Sequence, residues 1–243
     1  MVVPMRSPIS ARPVVARSVL AAAALTVVLA TPVAAAVTRP VGYGARGAVV
    51  VRAQRRLAAL GYLEHGSVDG VFGEETWHAV VAFQGWEQLS RDGVIGPKTL
   101  RALRHAHRPR PWVRLRDALE VDLNRQVLLV VKDDAVKEVI HASTAAPPYA
   151  TPRGRFVVIR RERKSWSRPY HVWLPDALYF YRGWAIHGFA VVPDRAASHG
   201  CIRIPLRLAR RLFQQAPLGT PVIIRGLPSP PPVAPWPHMP VPR

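Results

Sequence analysis

The sequence almost lacks cysteine, since Cys201 is the only one among its 243 residues. Exported proteins usually pair their cysteines in disulfides, and a single cysteine cannot form an internal one. Cys201 is therefore either a small buried apolar residue or a working thiol. The residues around Cys201 are needed to distinguish between these two roles.

Acidic residues are also scarce, with 15 Asp and Glu against 34 Lys and Arg and a net charge of +19. Such a charge favours an anionic partner or surface, of which nucleic acid, anionic wall polymers and a membrane surface are examples. The cations are distributed along the whole chain and are not gathered on one helix. We therefore expect a general bias toward polyanions without a specific role.

Residues 1–36 contain no acidic residue and have the pattern of an export signal. Three arginines precede an apolar run, Val19–Ala30, and the run is followed by the small residues Ala34–Ala36. This order predicts a signal peptide cleaved after Ala36 and an extracytoplasmic protein, in the cell wall or periplasm. An uncleaved anchor stays open, because the uncharged stretch 18–37 is just long enough to span a bilayer. No cysteine lies near the cleavage point, so a lipid-anchored N-terminus is not expected.

Residues 44–104 read as a small all-α domain of three helices. Val49, Ala53, Leu57 and Leu60 recur at helical spacing, and Gly61 follows at the position of a C-cap. Further helices are predicted over 74–89 and 97–104. Each is preceded by an Asp-Gly turn, Asp69-Gly70-Val71-Phe72-Gly73 and Asp92-Gly93-Val94-Ile95-Gly96, which are 23 residues apart. A basic linker over 105–113 follows, in which His105 and His107 have no partner at metal-ligand spacing.

Residues 114–226 have the periodicity of strands and predict a mainly β domain, a sandwich or a barrel. Turn residues stand at Asn124-Arg125 and Asp133-Asp134, and one helix is predicted over 206–215. The predicted strands after the first hairpin are 136–142, 155–160, 171–174, 178–181, 184–187 and 222–224. Residues 227–243 are rich in proline and predict a disordered tail.

The chemistry concentrates in the unbroken run Ser198-His199-Gly200-Cys201-Ile202-Arg203 and in His187-Gly188 upstream of it. A thiol nucleophile needs a base that favours the thiolate, a group that orients the base, and donors for the oxyanion. His187 can fold back on Cys201, and Gly200 lets backbone N–H groups approach a substrate carbonyl. Arg203 would share a strand face with Cys201 and could hold a substrate carboxylate. A buried cysteine with coincidental histidines is the alternative.

Residues 187–203 resemble the active-site motif of the L,D-transpeptidase catalytic domain, the YkuD-type fold. Thr151–Phe156, Leu119–Val131 and Gly219–Val222 are similar to other segments of that family. The resemblance implies a β-sandwich in which Cys201 is the nucleophile and His187 is the general base. It also implies that the Gly188 carbonyl orients His187 and that the N–H groups of Gly200 and Cys201 form the oxyanion hole. Ser198, His199 and Arg203 would shape the site or bind substrate, and neither a metal nor another cofactor is implied.

Two departures from the family pattern stand out. The loop between His187 and Ser198 is short for the family. This difference could change the specificity of the site, so the identity of the acceptor substrate stays undetermined. The usual Ser-Thr-Gly reads Ser143-Thr144-Ala145, a change expected to affect only a turn.

Residues 44–103 resemble a peptidoglycan-binding domain, most clearly at Asp69–Gly73. The expected protein is thus a peptidoglycan L,D-transpeptidase that acts on stem peptides and glycan. The alternatives are an L,D-carboxypeptidase or endopeptidase with the same site, or a non-catalytic wall-binding protein. The export signal argues against nucleic acid, and membrane contact is expected only through an uncleaved signal.

Overall fold

The structure, a computed structural model, describes Val2 and residues 39–227. The predicted signal peptide and the Pro-rich tail therefore lie outside the described residues, apart from Val2 and Leu227. Within the described part, no helix is both long and apolar enough to cross a bilayer.

Three helices form the first part of the described chain, as the sequence predicts. They are α1 (Ala48–Leu60), α2 (Glu74–Trp86) and α3 (Pro97–His105), with a short 3₁₀ turn at His65–Ser67. Gly61 ends α1 with φ 89° and donates its N–H to Ala58. The prediction for α2 ran three residues too far, because Gln88 takes φ 55° and the Leu89 N–H turns back to the Gln84 carbonyl.

The two Asp-Gly turns are held by one arrangement of hydrogen bonds that occurs twice. The Gln54 amide donates to Asp69 at 2.8 Å and to Thr76 at 2.9 Å, and it accepts the Gly70 N–H at 2.8 Å. In the second copy Gln84 donates to Asp92 and Thr99 and accepts the Gly93 N–H. A buried glutamine of the preceding helix therefore fixes each turn, which the aspartates and glycines alone did not reveal.

The second part of the chain is a β-sandwich, which confirms the predicted fold class. One sheet has the order β3-β2-β1-β9-β4 and the other β5-β6-β7-β8. The strands are β1 (Asp117–Asp122), β2 (Val127–Lys132), β3 (Ala135–His141), β4 (Gly154–Val157), β5 (Arg160–Ser167), β6 (Val172–Tyr181), β7 (Trp184–Phe189), β8 (Ile202–Pro205) and β9 (Pro221–Arg225). Helix α4 (Leu206–Gln215) follows β8 and packs on β6 and β7.

The hairpin of β5 and β6 differs most from the prediction. Strand β5 was not predicted, because its sequence RRERKSWS lacks apolar alternation and is largely exposed. Strand β6 joins two predicted strands through Pro175 and Asp176, and Asp176 has φ 51°. The predicted strand 155–160 breaks at Val158, whose N–H bonds the Thr220 carbonyl. Sheet pairing thus overrides what local composition suggests.

The helices and the sandwich share a hydrophobic core. Leu129, Val131 and Val139 on the outer face of the first sheet pack with the helical residues Leu57, Val80 and Phe83. Leu128 and Val130, on the other face of β2, pack toward the second sheet. Strand β2 is therefore buried on both faces, which explains its continuous apolar run.

Polar contacts strengthen this junction. The Val139 N–H donates to the Gly61 carbonyl at 2.8 Å. On α4, Arg207 pairs with Glu64 at 2.6 Å and with Glu75 at 3.1 Å, and Arg211 also pairs with Glu64.

The glutamine arrangement gives a stability prediction. Gln84→Ala should lower the free energy of unfolding by about 1–3 kcal/mol, because the buried Gly93 N–H loses its acceptor. Gln84 is 1% exposed. The measurement is urea denaturation. Gln214→Ala, at an exposed position of α4, is the matched control and should change stability little. Equal effects of the two substitutions would contradict the assigned role of Gln84.

Candidate active site

Parallel pairing of β7 with β8 brings the two predicted catalytic residues together. Ile186 pairs with Ile202 and His187 with Arg203, so Cys201 enters β8 beside the strand that carries His187. Both side chains line a cavity of about 560 Å³ between this edge of the sheet and the β5–β6 hairpin. His187 is 2% exposed and Cys201 is half-buried. Arg203 lines the same cavity, as expected from a shared strand face.

The orientation of His187 leaves its other ring nitrogen available. Nδ1 lies 2.8 Å from the Gly188 carbonyl oxygen, and since a carbonyl only accepts, Nδ1 carries the proton. Nε2 is then an unprotonated acceptor. Burial lowers the pKa of His187 to about 4, with a further contribution from the charge of Arg203. The imidazole is therefore neutral at physiological pH and has the tautomer that a general base requires.

The thiol of Cys201 is neutral in the resting site. Burial raises its pKa above the ordinary value, and this outweighs the opposing effects of the Ala185 backbone and of the Arg203 charge. Sγ lies 3.9 Å from the Gly183 carbonyl oxygen. Among the described residues it forms no hydrogen bond with His187. The resting pair is thus thiol and imidazole.

Ser198 closes the turn that carries Cys201. Its hydroxyl donates to the Cys201 carbonyl at 2.6 Å and accepts the Gly200 N–H at 3.1 Å. Of the two N–H groups predicted to form the oxyanion hole, that of Gly200 is therefore already engaged. These two hydrogen bonds of Ser198 fix the shape of the turn.

Arg203 braces the loop before the turn. Its guanidinium donates to the Ala197 carbonyl at 3.1 Å and lies over the Phe189 ring at 4.2 Å. Part of the hydrogen-bonding capacity of the guanidinium is thus used by contacts within the protein.

Two glycines of the motif permit close packing. A Cβ on Gly200 would lie 2.1 Å from Trp184 Nε1, and Gly200 has φ 140°. A Cβ on Gly188 would lie 3.0 Å from the Leu206 side chain of α4. Side chains at these positions would displace the cavity wall in the first case and α4 in the second.

His199 shapes the rim of the cavity and is exposed. Its ring lies between those of Tyr149, at 4.4 Å, and Tyr170, at 4.5 Å. Tyr170 belongs to the tip of the β5–β6 hairpin, so His199 connects that tip to the nucleophile turn.

The segment 143–151 supports the same turn, a role that sequence reasoning missed. Thr151 donates to the Gly200 carbonyl at 2.9 Å and accepts the Ala145 N–H at 3.1 Å. Ala145 bridges to Ser198 in parallel register. The departure from the family pattern at Ala145 therefore lies in a segment that supports the turn carrying Cys201, and its effect is not confined to a local turn. The similarity of Thr151–Phe156 to the family was the only sequence sign of this role.

The described residues contain no candidate metal-binding site. Among the described residues, no cluster of three or more His, Cys, Asp and Glu is arranged to hold an ion.

Comparison with known proteins agrees with this geometry. The L,D-transpeptidase catalytic domain model matches residues 116–224, and the putative peptidoglycan binding domain model matches residues 46–103. The structure of an L,D-transpeptidase from Xylanimonas cellulosilytica is 34% identical, covers 76% of this chain and 96% of its own, and superposes with a TM-score of 0.72. The chain belongs to the L,D-transpeptidase family.

Two further comparisons are weaker. An L,D-transpeptidase from Stackebrandtia nassauensis is 25% identical, with a TM-score of 0.50 over 77% of this chain and 97% of its own. A probable N-acetylmuramoyl-L-alanine amidase from Bacillus licheniformis is 43% identical over 61 residues, which are 25% of this chain and 17% of the amidase. The chain therefore spans only a small part of that relative.

Gly200→Ala should misplace the nucleophile turn against Trp184. A displacement of about 1 Å at a reacting group can lower activity by about 10²-fold, and we expect a loss of that order in kcat/KM. Gly66→Ala is the matched control, because a Cβ there meets no atom within 4 Å and Gly66 does not line the cavity. Steady-state kinetics on a stem-peptide substrate compare the two. Similar rates in both variants would show that the close packing at Gly200 is not needed.

The protonation states predict the pH dependence of thiol alkylation. The pKa of Cys201 is raised, so the thiolate fraction should stay small at neutral pH and grow only as the pH rises above the range of an ordinary thiol. Iodoacetamide should therefore modify Cys201 more slowly than a free cysteine near pH 7. The rate is measured by mass spectrometry as a function of pH. A plateau of fast alkylation between weakly acidic and neutral pH would instead indicate a resting ion pair with His187.

Proposed function

We propose that this protein is a peptidoglycan L,D-transpeptidase that joins stem peptides through a thioester on Cys201. The observation that supports this most strongly is the fixed tautomer of His187, which leaves Nε2 as a base in the cavity that Cys201 lines. The family membership supplies the substrate class. The mechanism below is derived from the placement of these two residues.

The first step forms the acyl-enzyme. Sγ of Cys201 bonds to the carbonyl carbon of the third residue of a tetrapeptide stem, and its proton passes to His187 Nε2. The resulting imidazolium gives that proton to the amine of the leaving D-alanine as the peptide bond breaks. Because the thiol and the imidazole start neutral, positive charge on the imidazole and negative charge on the substrate oxygen develop only during attack. The Cys201 backbone N–H is the proposed donor to the oxyanion, since Ser198 occupies the Gly200 N–H.

The second step transfers the acyl group. The side-chain amine of the third residue of another stem attacks the thioester carbon, and His187 takes one proton from this amine. The thiolate leaves and is protonated by the imidazolium, which restores the resting pair. The product is a 3→3 cross-link, and the proposed cycle uses no cofactor.

The helical unit, proposed as residues 44–104, would hold the enzyme on its substrate polymer. We assign residues 105–113 to the linker and 114–226 to the catalytic domain, and we place the protein outside the cytoplasm. The linker is not a free tether, because Arg108 donates to the Ala59 carbonyl at 2.8 Å and Glu120 accepts the Trp112 N–H at 2.9 Å. Binding of the wall would thus present the cavity at a defined place and raise the local substrate concentration.

The decisive experiment incubates the protein with a disaccharide-tetrapeptide and follows the products by mass spectrometry. We expect dimers that have lost one D-alanine with the unmodified protein, and none with Cys201→Ala or His187→Ala. Gln214→Ala, at an exposed position of α4, is the control for any loss of activity caused by preparing a variant protein.

Other products would change the assignment. Tripeptide without dimers would identify water as the acceptor and make the protein an L,D-carboxypeptidase. Unchanged substrate, together with no carbapenem adduct on Cys201, would leave a wall-binding protein and overturn the proposal.

A further inference from the structure

Exposed aromatic side chains are concentrated around the candidate active site. Among the described residues, five Trp, Tyr and Phe side chains are exposed, namely Tyr43, Tyr149, Trp166, Tyr170 and Trp173. All but Tyr43 lie at or next to the cavity that Cys201 lines. We call Tyr149, Trp166, Tyr170 and Trp173 the aromatic rim. The large aliphatic side chains that are exposed in the sandwich do not line this cavity.

Each ring of the aromatic rim is held in place by a neighbouring ring. Trp166 and Tyr170 line the cavity directly. Trp173 is the cross-strand partner of Trp166, and their ring centroids are 5.0 Å apart. Tyr149 and Tyr170 both pack against His199, which also lines the cavity. The rings are therefore positioned before a substrate binds, which lowers the entropic cost of binding.

The exposure of these rings is not explained by the stability of the hairpin. Each residue of the aromatic rim keeps between 44% and 48% of its surface exposed. Cross-strand aromatic pairs stabilise a sheet, which accounts for the position of Trp166 beside Trp173. It does not account for four half-exposed rings at one cavity, because the burial of aromatic surface is favourable. Exposed apolar groups that adjoin a cavity are typical of a ligand-binding surface.

The aromatic rim also offers polar atoms. Tyr179 lines the same cavity but is buried, and its hydroxyl lies 2.7 Å from Ser165 Oγ. In contrast, the indole N–H and hydroxyl groups of the aromatic rim form no hydrogen bond with a described residue. The rim thus combines apolar faces with available polar atoms. This combination fits a pyranose ring, which has an apolar face of C–H groups and a periphery of hydroxyl and acetamido groups.

The covalent structure of the substrate brings such a sugar to the mouth of the cavity. In the proposed reaction Cys201 attacks the third residue of the stem, whereas the sugar is joined to the first residue. The first two residues span about 7 Å when extended. A stem whose third residue meets Cys201 therefore places its sugar near the rim of the same cavity. The amine-bearing third residue and the D-alanine offer no large apolar face to the rings.

We propose that Trp166 stacks on the sugar of the donor stem, which is the stem whose carbonyl Cys201 attacks, and that Tyr170 borders the same subsite. Trp173 holds Trp166 in place, and His199 holds Tyr170. This inference rests on the proposed function, because it concerns a substrate of the same cavity. The enzyme would then act on stems that are attached to glycan in preference to free peptides.

The first test compares disaccharide-tetrapeptide with N-acetyl-tetrapeptide, which lacks the sugar but has the same charge. The rate constant of acyl-enzyme formation is followed by mass spectrometry of the intact protein. We expect the unmodified protein to prefer the disaccharide form by about tenfold, the value of one aromatic contact. Trp166→Ala should lose this preference and keep its rate on N-acetyl-tetrapeptide, whereas Trp166→Phe should retain part of the preference. Tyr43→Ala, at an exposed aromatic outside the rim, is the matched control and should retain all of it.

The salt dependence separates stacking from attraction by the cations of the hairpin. Lys164 Nζ lies 4.3 Å from the centre of the Trp173 ring, and Arg168 lines the cavity. Stacking on an uncharged sugar should keep the preference within about twofold between about 50 and 200 mM NaCl, because salt screens only charged contacts. A preference that disappears over this range would overturn the assignment to Trp166.

The second test measures binding without turnover. By isothermal titration calorimetry, Cys201→Ala should bind disaccharide-tetrapeptide more tightly than N-acetyl-tetrapeptide. The double variant Trp166→Ala/Cys201→Ala should lose most of this difference. A difference that survives in the double variant would come from sugar binding elsewhere, such as on the helical unit, and would overturn the role of Trp166.

The outcomes distinguish this inference from the proposed function. Cross-linked dimers formed equally fast from both substrates would support the transpeptidase and overturn the sugar contact. Sugar-dependent binding that Trp166→Ala abolishes, in a protein that releases only tripeptide, would support the sugar contact although the transpeptidase fails. Equal loss of rate on both substrates in Trp166→Ala would show that Trp166 only supports the hairpin, which also overturns the inference.

Discussion

The parallel pairing of β7 with β8 holds the site together, because it sets two residues fourteen positions apart in sequence beside one cavity. The pairing depends on contacts from three directions. Thr151 fixes the Gly200 carbonyl, Ser198 closes the turn, and α4 packs on Gly188 so closely that a side chain there would collide with Leu206. The two proposed catalytic residues, His187 and Cys201, thus take their position from the turn and its supports more than from contacts with each other.

The resting neutrality of the proposed catalytic pair follows from the burial of both side chains. Moving an ion into a poorly solvated site is costly, so both Cys201 and His187 favour their uncharged forms. The consequence for the proposed chemistry is that the thiol loses its proton as the new bond forms, when the substrate has already filled the cavity. A nucleophile of this kind is protected from oxidation between turnovers, since the thiolate is the reactive species.

Much of the architecture could be read from the sequence, and the failures have definite physical causes. Helical periodicity located α1, α3 and α4 closely, and the motif from Ser198 to Arg203 named the residues that meet at the cavity. Strand β5 could not be found, because its charged residues form a strand only through pairing with β6. The roles of Gln54, Gln84 and Thr151 were also hidden, since each acts through hydrogen bonds to turns that are 9 to 49 residues away.

Strand β2 has apolar neighbours on both sides, and this has a consequence for how the enzyme can be divided. A catalytic fragment that begins after the linker would expose Leu129, Val131 and Val139 to water at once, as one contiguous apolar sheet face. Such a fragment would associate with itself or with other hydrophobic surfaces. The helical unit therefore also shields the apolar outer face of the first sheet from water. A recombination event that exchanged this unit for an unrelated one would have to supply another apolar surface to cover the sheet.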